Sequence, residues 1–348
     1  MTEPVVPFDS ILLVSFGGPE GMDDVIPFLE NVLRGKNVPH ERMLEVAEHY
    51  KHFGGVSPIN QQNRELIAAL RNELDQAGIH LPIYWGNRNW DPLLPNTLSE
   101  MRDAGCQRAV AFFTSMFSCY SGCRQYRENI IVAQEEVGAG APLVEKVRKG
   151  FNHPLFIAAQ VDLTRKALTE IPEARRGEAK LLFTAHSIPL SMADNSRYVI
   201  QLTEAARLIA DEIGHANWEL VYQSRSGPPQ QPWLEPDICE RIEGLAEAGT
   251  ADFVLVPLGF VSDHMEVLFD LDTEAKDTCE RLGVGFARAA TAGTHPDFVR
   301  MIRLLIEERI HSLPDRPALG TLGPSHDVCP VNCCLYPRPQ RPVAATTG

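Results

Sequence analysis

What most constrains this chain is a rhythm. Short, nearly uninterrupted apolar runs recur at residues 11–16 (ILLVSF), 82–85 (PIYW), 109–113 (AVAFF), 143–147 (LVEKV), 180–184 (KLLFT), 219–222 (ELVY) and 253–256 (FVLV). Each is too short for an ordinary helix and rich in β-branched or aromatic residues, so each reads as a strand. Longer stretches between several of them carry helical periodicity, as at 25–33, 64–76, 198–213 and 239–248. Strands apolar on both faces belong to parallel sheets covered by helices on both sides. With 348 residues the chain exceeds what one core usually absorbs. The pattern therefore predicts an α/β protein of two doubly wound, Rossmann-like domains with parallel sheets facing a shared cleft. The expected divisions are 1–150, 151–294, a terminal helix at 295–315 and a cysteine-bearing extension at 316–348. Phe151-Asn152-His153-Pro154 is the expected crossover.

Charge and cysteine usage narrow the partners. A net charge of −14 disfavours nucleic acid and charge-driven docking on an anionic membrane. The opening residues, MTEPVVPFDS, lack the basic and apolar regions of a signal peptide. No run approaches the ~18 uninterrupted apolar residues of a membrane span. A soluble cytoplasmic chain is expected, a monomer in the first instance with a dimer as the alternative. The eight cysteines do not read as a disulfide framework in that compartment. Cys106, Cys239 and Cys279 stand alone, whereas Cys119 with Cys123, and Cys329 with Cys333 and Cys334, form groups that need a reason.

In doubly wound sheets, ligands bind at the carboxyl ends of strands. Here those ends are polar or glycine-rich. FGGPEG after the first strand lacks both the G-x-G-x-x-G spacing and a Walker lysine, and no G-x-S-x-G elbow is present. After the strand at 253–256 come Asp263, His264 and an acidic stretch in which Glu266, Asp270 and Glu274 recur every four residues. On one α-helix that spacing stacks three carboxylates on a face, at a penalty of a few tenths of a kcal/mol per like-charged pair. The plain alternative makes Asp263 an N-cap and Glu266 its capping-box partner. His186, in AHSIP, stands at another strand end, where an imidazole can take a proton or bind a borderline metal. The stretch QSRSGPPQQPWLE reads either as a rigid wall for a flat apolar ligand or as a structural loop. The strand ends converge on one cleft lined from both domains.

LLFTAHSIP, YQSRSGPPQQPWLEPD and PLGFVSDHMEVLFDLDTEA, in this order and spacing, resemble the ferrochelatases. LLVSFGGPEG, FLENVLRGK and HYKHFGGVSPIN resemble the same family, so the likeness spans about residues 8–311. YWGNRNW and the loop at 115–126 are most similar to the actinobacterial type. The resemblance implies a chelatase-like fold and insertion of Fe(II) into a porphyrin in haem biosynthesis, with coproporphyrin III favoured and protoporphyrin IX the alternative. It implies that His186 is the metal ligand or proton acceptor at the macrocycle centre, with Glu266 facing it. Asp270 and Glu274 would continue an acid line on a partly π-helical segment, serving metal or protons. Arg34 and Ser57 match positions that hold propionates. Phe16 stands where many relatives carry a tyrosine near the metal, and Asn89 where several carry a histidine.

The same resemblance implies a [2Fe-2S] cluster on Cys123, Cys329, Cys333 and Cys334, four thiolates being what such a cluster requires. Cys119 is the alternative internal ligand and zinc the alternative metal. Two other functions fit the architecture: a cobalt or sirohydrochlorin-type chelatase, and a non-catalytic tetrapyrrole or metal carrier. The first type lacks the QSRSGPPQQPWLEP stretch, and the acid row exceeds what a carrier needs.

Overall fold

The computed structural model describes residues 6–35 and 38–337; the end of the predicted extension, 338–348, lies outside them. Eight strands form two parallel four-stranded sheets. The first contains β1 (Ser10–Ser15), β2 (Ile83–Asn87), β3 (Arg108–Phe113) and β4 (Leu143–Lys146), in the order β2-β1-β3-β4. The second contains β5 (Lys180–His186), β6 (Trp218–Gln223), β7 (Asp252–Val256) and β8 (Gly285–Arg288), in the order β6-β5-β7-β8. One topology is thus used twice.

Side-chain alternation along the strands explains their unbroken apolar character. Ile11 and Leu13 face a core that also takes Val110, Phe112 and Phe298, and continues to Leu181, Phe183 and Val254 of the second sheet. Leu12 and Val14 face the opposite way, against Leu94, Leu98 and Ile130. Leu182, Phe253 and Leu255 likewise meet Ile238, Ile242 and Val267 on the far face of the second sheet.

The chain crosses between sheets where the sequence suggested. His153 caps the helix Pro154–Leu168, its Nδ1 accepting from the Leu155 N–H at 3.2 Å. The last helix, Pro296–Ile310, returns to pack on the helix Ile59–Gln76 and on β3 as well as on Pro154–Leu168. A buried bidentate pair, Arg148 to Glu308 at 2.6 and 2.9 Å, fastens it below β4.

Several elements were not anticipated, three of them instructive. β8 is short, and Gly285 and Arg288 break its apolar pattern. The helix His40–His52 has low mean hydropathy because it is mostly exposed. The polar run after β3 contains a π-helical turn, Tyr120–Arg124, and not merely a loop.

Candidate active site

Strand order places the site. In each sheet the chain reverses direction across the neighbouring pair β1/β3 or β5/β7, and the crevice above such a pair is where ligands bind. His186 ends β5, and the Pro257-Leu258-Gly259 turn ends β7 beside it. Gly259 is needed there: a Cβ on it would lie 2.8 Å from the Ala185 Cα.

The His186 loop is stitched to the proline-rich stretch. The Ser187 N–H donates to the Gln223 carbonyl at 2.7 Å, the Leu234 N–H to Ile188 at 3.0 Å, and the Leu190 N–H to Pro232 at 3.0 Å. The Ser187 hydroxyl adds a bond to the Leu234 carbonyl at 2.8 Å. The prolines therefore brace the histidine. His186 Nδ1 contacts the Ser187 carbonyl, which can only accept, so Nδ1 is the donor there and Nε2 is the nitrogen left to face Glu266. Nε2 lies 3.5 Å from Glu266 Oε2, with 32% of the histidine side chain and 50% of the glutamate open to solvent.

The capping reading of the acidic stretch fails. The helix Met265–Phe269 starts after His264 at the N-cap, without a side-chain cap bond. Asp263 instead pairs with Arg288 at 3.1 Å, and its N–H donates to Gln62 of the first domain at 2.8 Å. Nor do the acids share one α-helix, because Asp270–Ala275 is π-helical. Asp270 accepts from the Ser224 hydroxyl and from Gln223 Nε2 at 3.3 Å; the same Gln223 amide also donates to the Glu266 carbonyl at 3.2 Å. Burial pushes the Asp270 carboxyl up to about 7, and the charges of Glu266 and Glu274 add to the shift. Glu274 is raised as well, by burial and then by Asp237.

The first domain supplies the facing wall. Met265 is buried in a cluster with Phe28 and Tyr50, against which Phe16 and Trp90 pack. Tyr50 is raised by burial and, secondarily, by the charge of Glu266. His49 stacks on Phe269 at 3.8 Å. Arg34, Asn89 and Phe16 are joined in one hydrogen-bonded chain. Arg34 Nη2 donates to Asn31 Oδ1 at 2.5 Å, Asn31 Nδ2 to the Asn89 carbonyl at 3.2 Å, and Asn89 Nδ2 to the Phe16 carbonyl at 3.3 Å. Ser57 stands apart from that chain: it is 4% exposed and packs over Gly18.

A second constellation gathers cysteines from the internal loop and the tail. Cys123, Cys329, Cys333 and Cys334 all line a cavity of about 340 Å³, together with Lys146, Lys149 and His326. The Cys329 thiol beside it lowers the Cys123 thiol; burial opposes, and Lys149 and Lys146 assist. Cys329 is correspondingly raised by Cys123 and by burial. Cys333 and Cys334 sulfurs lie 3.5 Å apart. Cys119 does not line the cavity; its Sγ accepts from the Gly122 N–H at 3.2 Å, and burial raises its thiol.

The sequence model of the ferrochelatase family matches residues 9–310. The chain belongs to the ferrochelatase family. Ferrochelatase of Rhodopirellula baltica is 66% identical over 340 residues, covering 97% of this chain and 96% of that protein. Coproporphyrin III ferrochelatase of Streptomyces griseus is 50% identical over 361 residues, covering 97% and 96%. Among solved structures, SirB from Bacillus subtilis with Fe3+ superposes with a TM-score of 0.53 at 12% identity, over 86% of this chain and 95% of that one. The sirohydrochlorin chelatase SirB with cobalt gives 0.51 at 11%, over 88% and 96%. At such identities these likenesses establish the chelatase fold alone.

This ferrochelatase is therefore a porphyrin-metallating enzyme, and the carrier and sirohydrochlorin-type readings are set aside. Among the described residues no helix is long and apolar enough to cross a membrane. Sequence reasoning missed several residues that shape the ferrochelatase cleft. Gln223 and Ser224 hold Asp270, and Tyr198 donates its hydroxyl to the His186 carbonyl at 3.1 Å. The first two sit at a strand end, where polarity was a usable signal. Tyr198, inside a helical pattern, gave none.

Proposed function

We propose that the chain inserts Fe(II) into coproporphyrin III, with His186 as the base or ligand at the macrocycle centre and Glu266 opposite. The observation that carries this reading is the 3.5 Å approach of His186 Nε2 to Glu266, backed by the buried Asp270. Metallation must remove two pyrrole protons and deliver a dication. An imidazole lone pair on Nε2 suits the first task. Glu266, Asp270 and Glu274 suit the second, and a carboxyl titrating near 7 can also pass protons at neutral pH. Arg34 and Ser57 are assigned to propionates, and Phe16 and Asn89 to the porphyrin face. Phe16 has no oxygen, so metal ligation falls to the histidine and the acids. Coproporphyrin III is preferred because relatives at 50% identity over nearly the whole chain bear that substrate in their names.

We also assign a [2Fe-2S] cluster to Cys123, Cys329, Cys333 and Cys334. Their common cavity, the absence of Cys119 from it and the lysines beside it suit an anionic four-thiolate group. When bound, such a cluster supplies a one-electron couple and a cross-link between the internal loop and the tail. A cytoplasmic monomer with domains at 1–150 and 151–294, a terminal helix at 295–315 and an extension at 316–348 completes the assignment.

Turnover with Fe(II) on the two porphyrins tests the substrate. A higher kcat/KM for coproporphyrin III is expected; preference for protoporphyrin IX would overturn the substrate, and metallation of neither the function. Iron and acid-labile sulfide in protein purified without oxygen test the cluster. Zinc without sulfide would replace it.

A further inference from the structure

Five cysteine and histidine side chains, not four, line the cysteine cavity. The fifth is His326, whose Nε2 lies 3.6 Å from the Cys333 sulfur. The donor atoms of His326, Cys329 and Cys333 all lie within 4.8 Å of one another. The position of the histidine is set by contacts that involve no cysteine. Its own carbonyl accepts from Lys146 Nζ at 3.1 Å, at the end of β4. The next residue, Asp327, is held by Arg309 at 3.2 Å and Arg316 at 3.0 Å. The imidazole is therefore presented by the floor of the first domain and the terminal helix. Cys334, by contrast, sits in a turn with φ at 53°.

Four thiolates complete the ligand set of a [2Fe-2S] cluster, and the four cysteines of the cavity supply that number. His326 is then surplus to coordination. An N–H beside a thiolate donates a hydrogen bond to it, and such bonds to sulfur are among the protein's levers on a cluster's reduction potential. Resting on the cluster assigned above, we propose that His326 donates its Nε2–H to the Cys333 sulfur, stabilising the reduced, more negative cluster and slowing its loss. His326 is a positioning residue in this account; it replaces no thiolate.

The test uses full-length protein purified without oxygen, as the parent, His326→Ala and His326→Gln. Iron and sulfide in the parent come first; their absence overturns the cluster and this inference together. With the cluster present, both variants keep the parental iron and sulfide content and the parental spectrum of the reduced state. The midpoint potential of His326→Ala falls, and a ferrous chelator strips it about tenfold faster, as loss of one hydrogen bond to a charged group implies. His326→Gln, which retains an N–H donor, recovers part of both. Unchanged potential and stripping rate in His326→Ala would overturn the inference while leaving the cluster intact. Directly coordinated nitrogen in the parent's pulsed EPR, or loss of iron from both variants, would overturn it too, by making His326 a ligand.

Discussion

Asp270 shows how a single side chain is set by its surroundings. Its carboxylate has two hydrogen-bond donors, Ser224 and Gln223, which favour the charged form, yet burial and the charges of Glu266 and Glu274 win. The folded chain therefore keeps a proton that the unfolded chain releases between the ordinary 3.8 and about 7. Because the native state binds more protons in that window, stability falls as pH rises through it. Asp270→Asn, uncharged throughout, is expected to melt higher than the parent at pH 8 and little differently at pH 4. Thermal melts at the two pH values check this, and an equal shift at both would contradict it. His186 and Glu266 were legible in the sequence because they sit at strand ends in distinctive surroundings. The contact of His186 Nδ1 with the Ser187 carbonyl was not, since it depends on the direction of that carbonyl.

At the scale of elements, the strands were readable because burial on both faces writes itself as an apolar run. β8 was not, being half-exposed and interrupted. The helix His40–His52 brings His49 onto Phe269, and nothing local announces that long-range contact. In the acid segment periodicity alone misled, whereas the family resemblance, which implied a partly π-helical stretch, did not. Four-residue spacing suggested one α-helical face, whereas the chain changes to π geometry at Asp270. A π turn holds about one residue more than an α turn. Deleting Thr273 should restore α geometry, tightening the turn that carries Asp270 and Glu274 while the helix beyond keeps its face. Iron insertion is expected to fall at least tenfold while porphyrin still binds, provided the melt remains cooperative. Unchanged turnover would show that the π segment is incidental.

On the scale of the whole molecule, two copies of one sheet topology share a core, and a tail is fastened to both halves of the chain. The tail has no strand or long helix among its described residues. It is held by Arg124 to the carbonyls of Val331 at 2.7 Å and Cys333 at 3.1 Å, by Asn152 to those of Leu319 and Gly323 at 3.0 Å, and by the Asp327 ion pairs. The sequence announced the cysteines but not these anchors, because arginine and asparagine acting on distant carbonyls leave no local pattern. Metal–thiolate bonds between Cys123 and the tail would close a very long loop. Cys123→Ser is therefore expected to lower the unfolding temperature by several degrees and to bleach the protein; equal melts would show that the anchors suffice alone. The central claim, however, is that the chemistry happens where His186 faces Glu266. Single-turnover Fe(II) insertion into bound coproporphyrin III, compared between the parent and His186→Ala, tests it most directly. The account predicts that the variant binds the porphyrin with near-parental affinity and fails to metallate it. Insertion within about threefold of the parent, a difference of under 1 kcal/mol in the barrier, would contradict it.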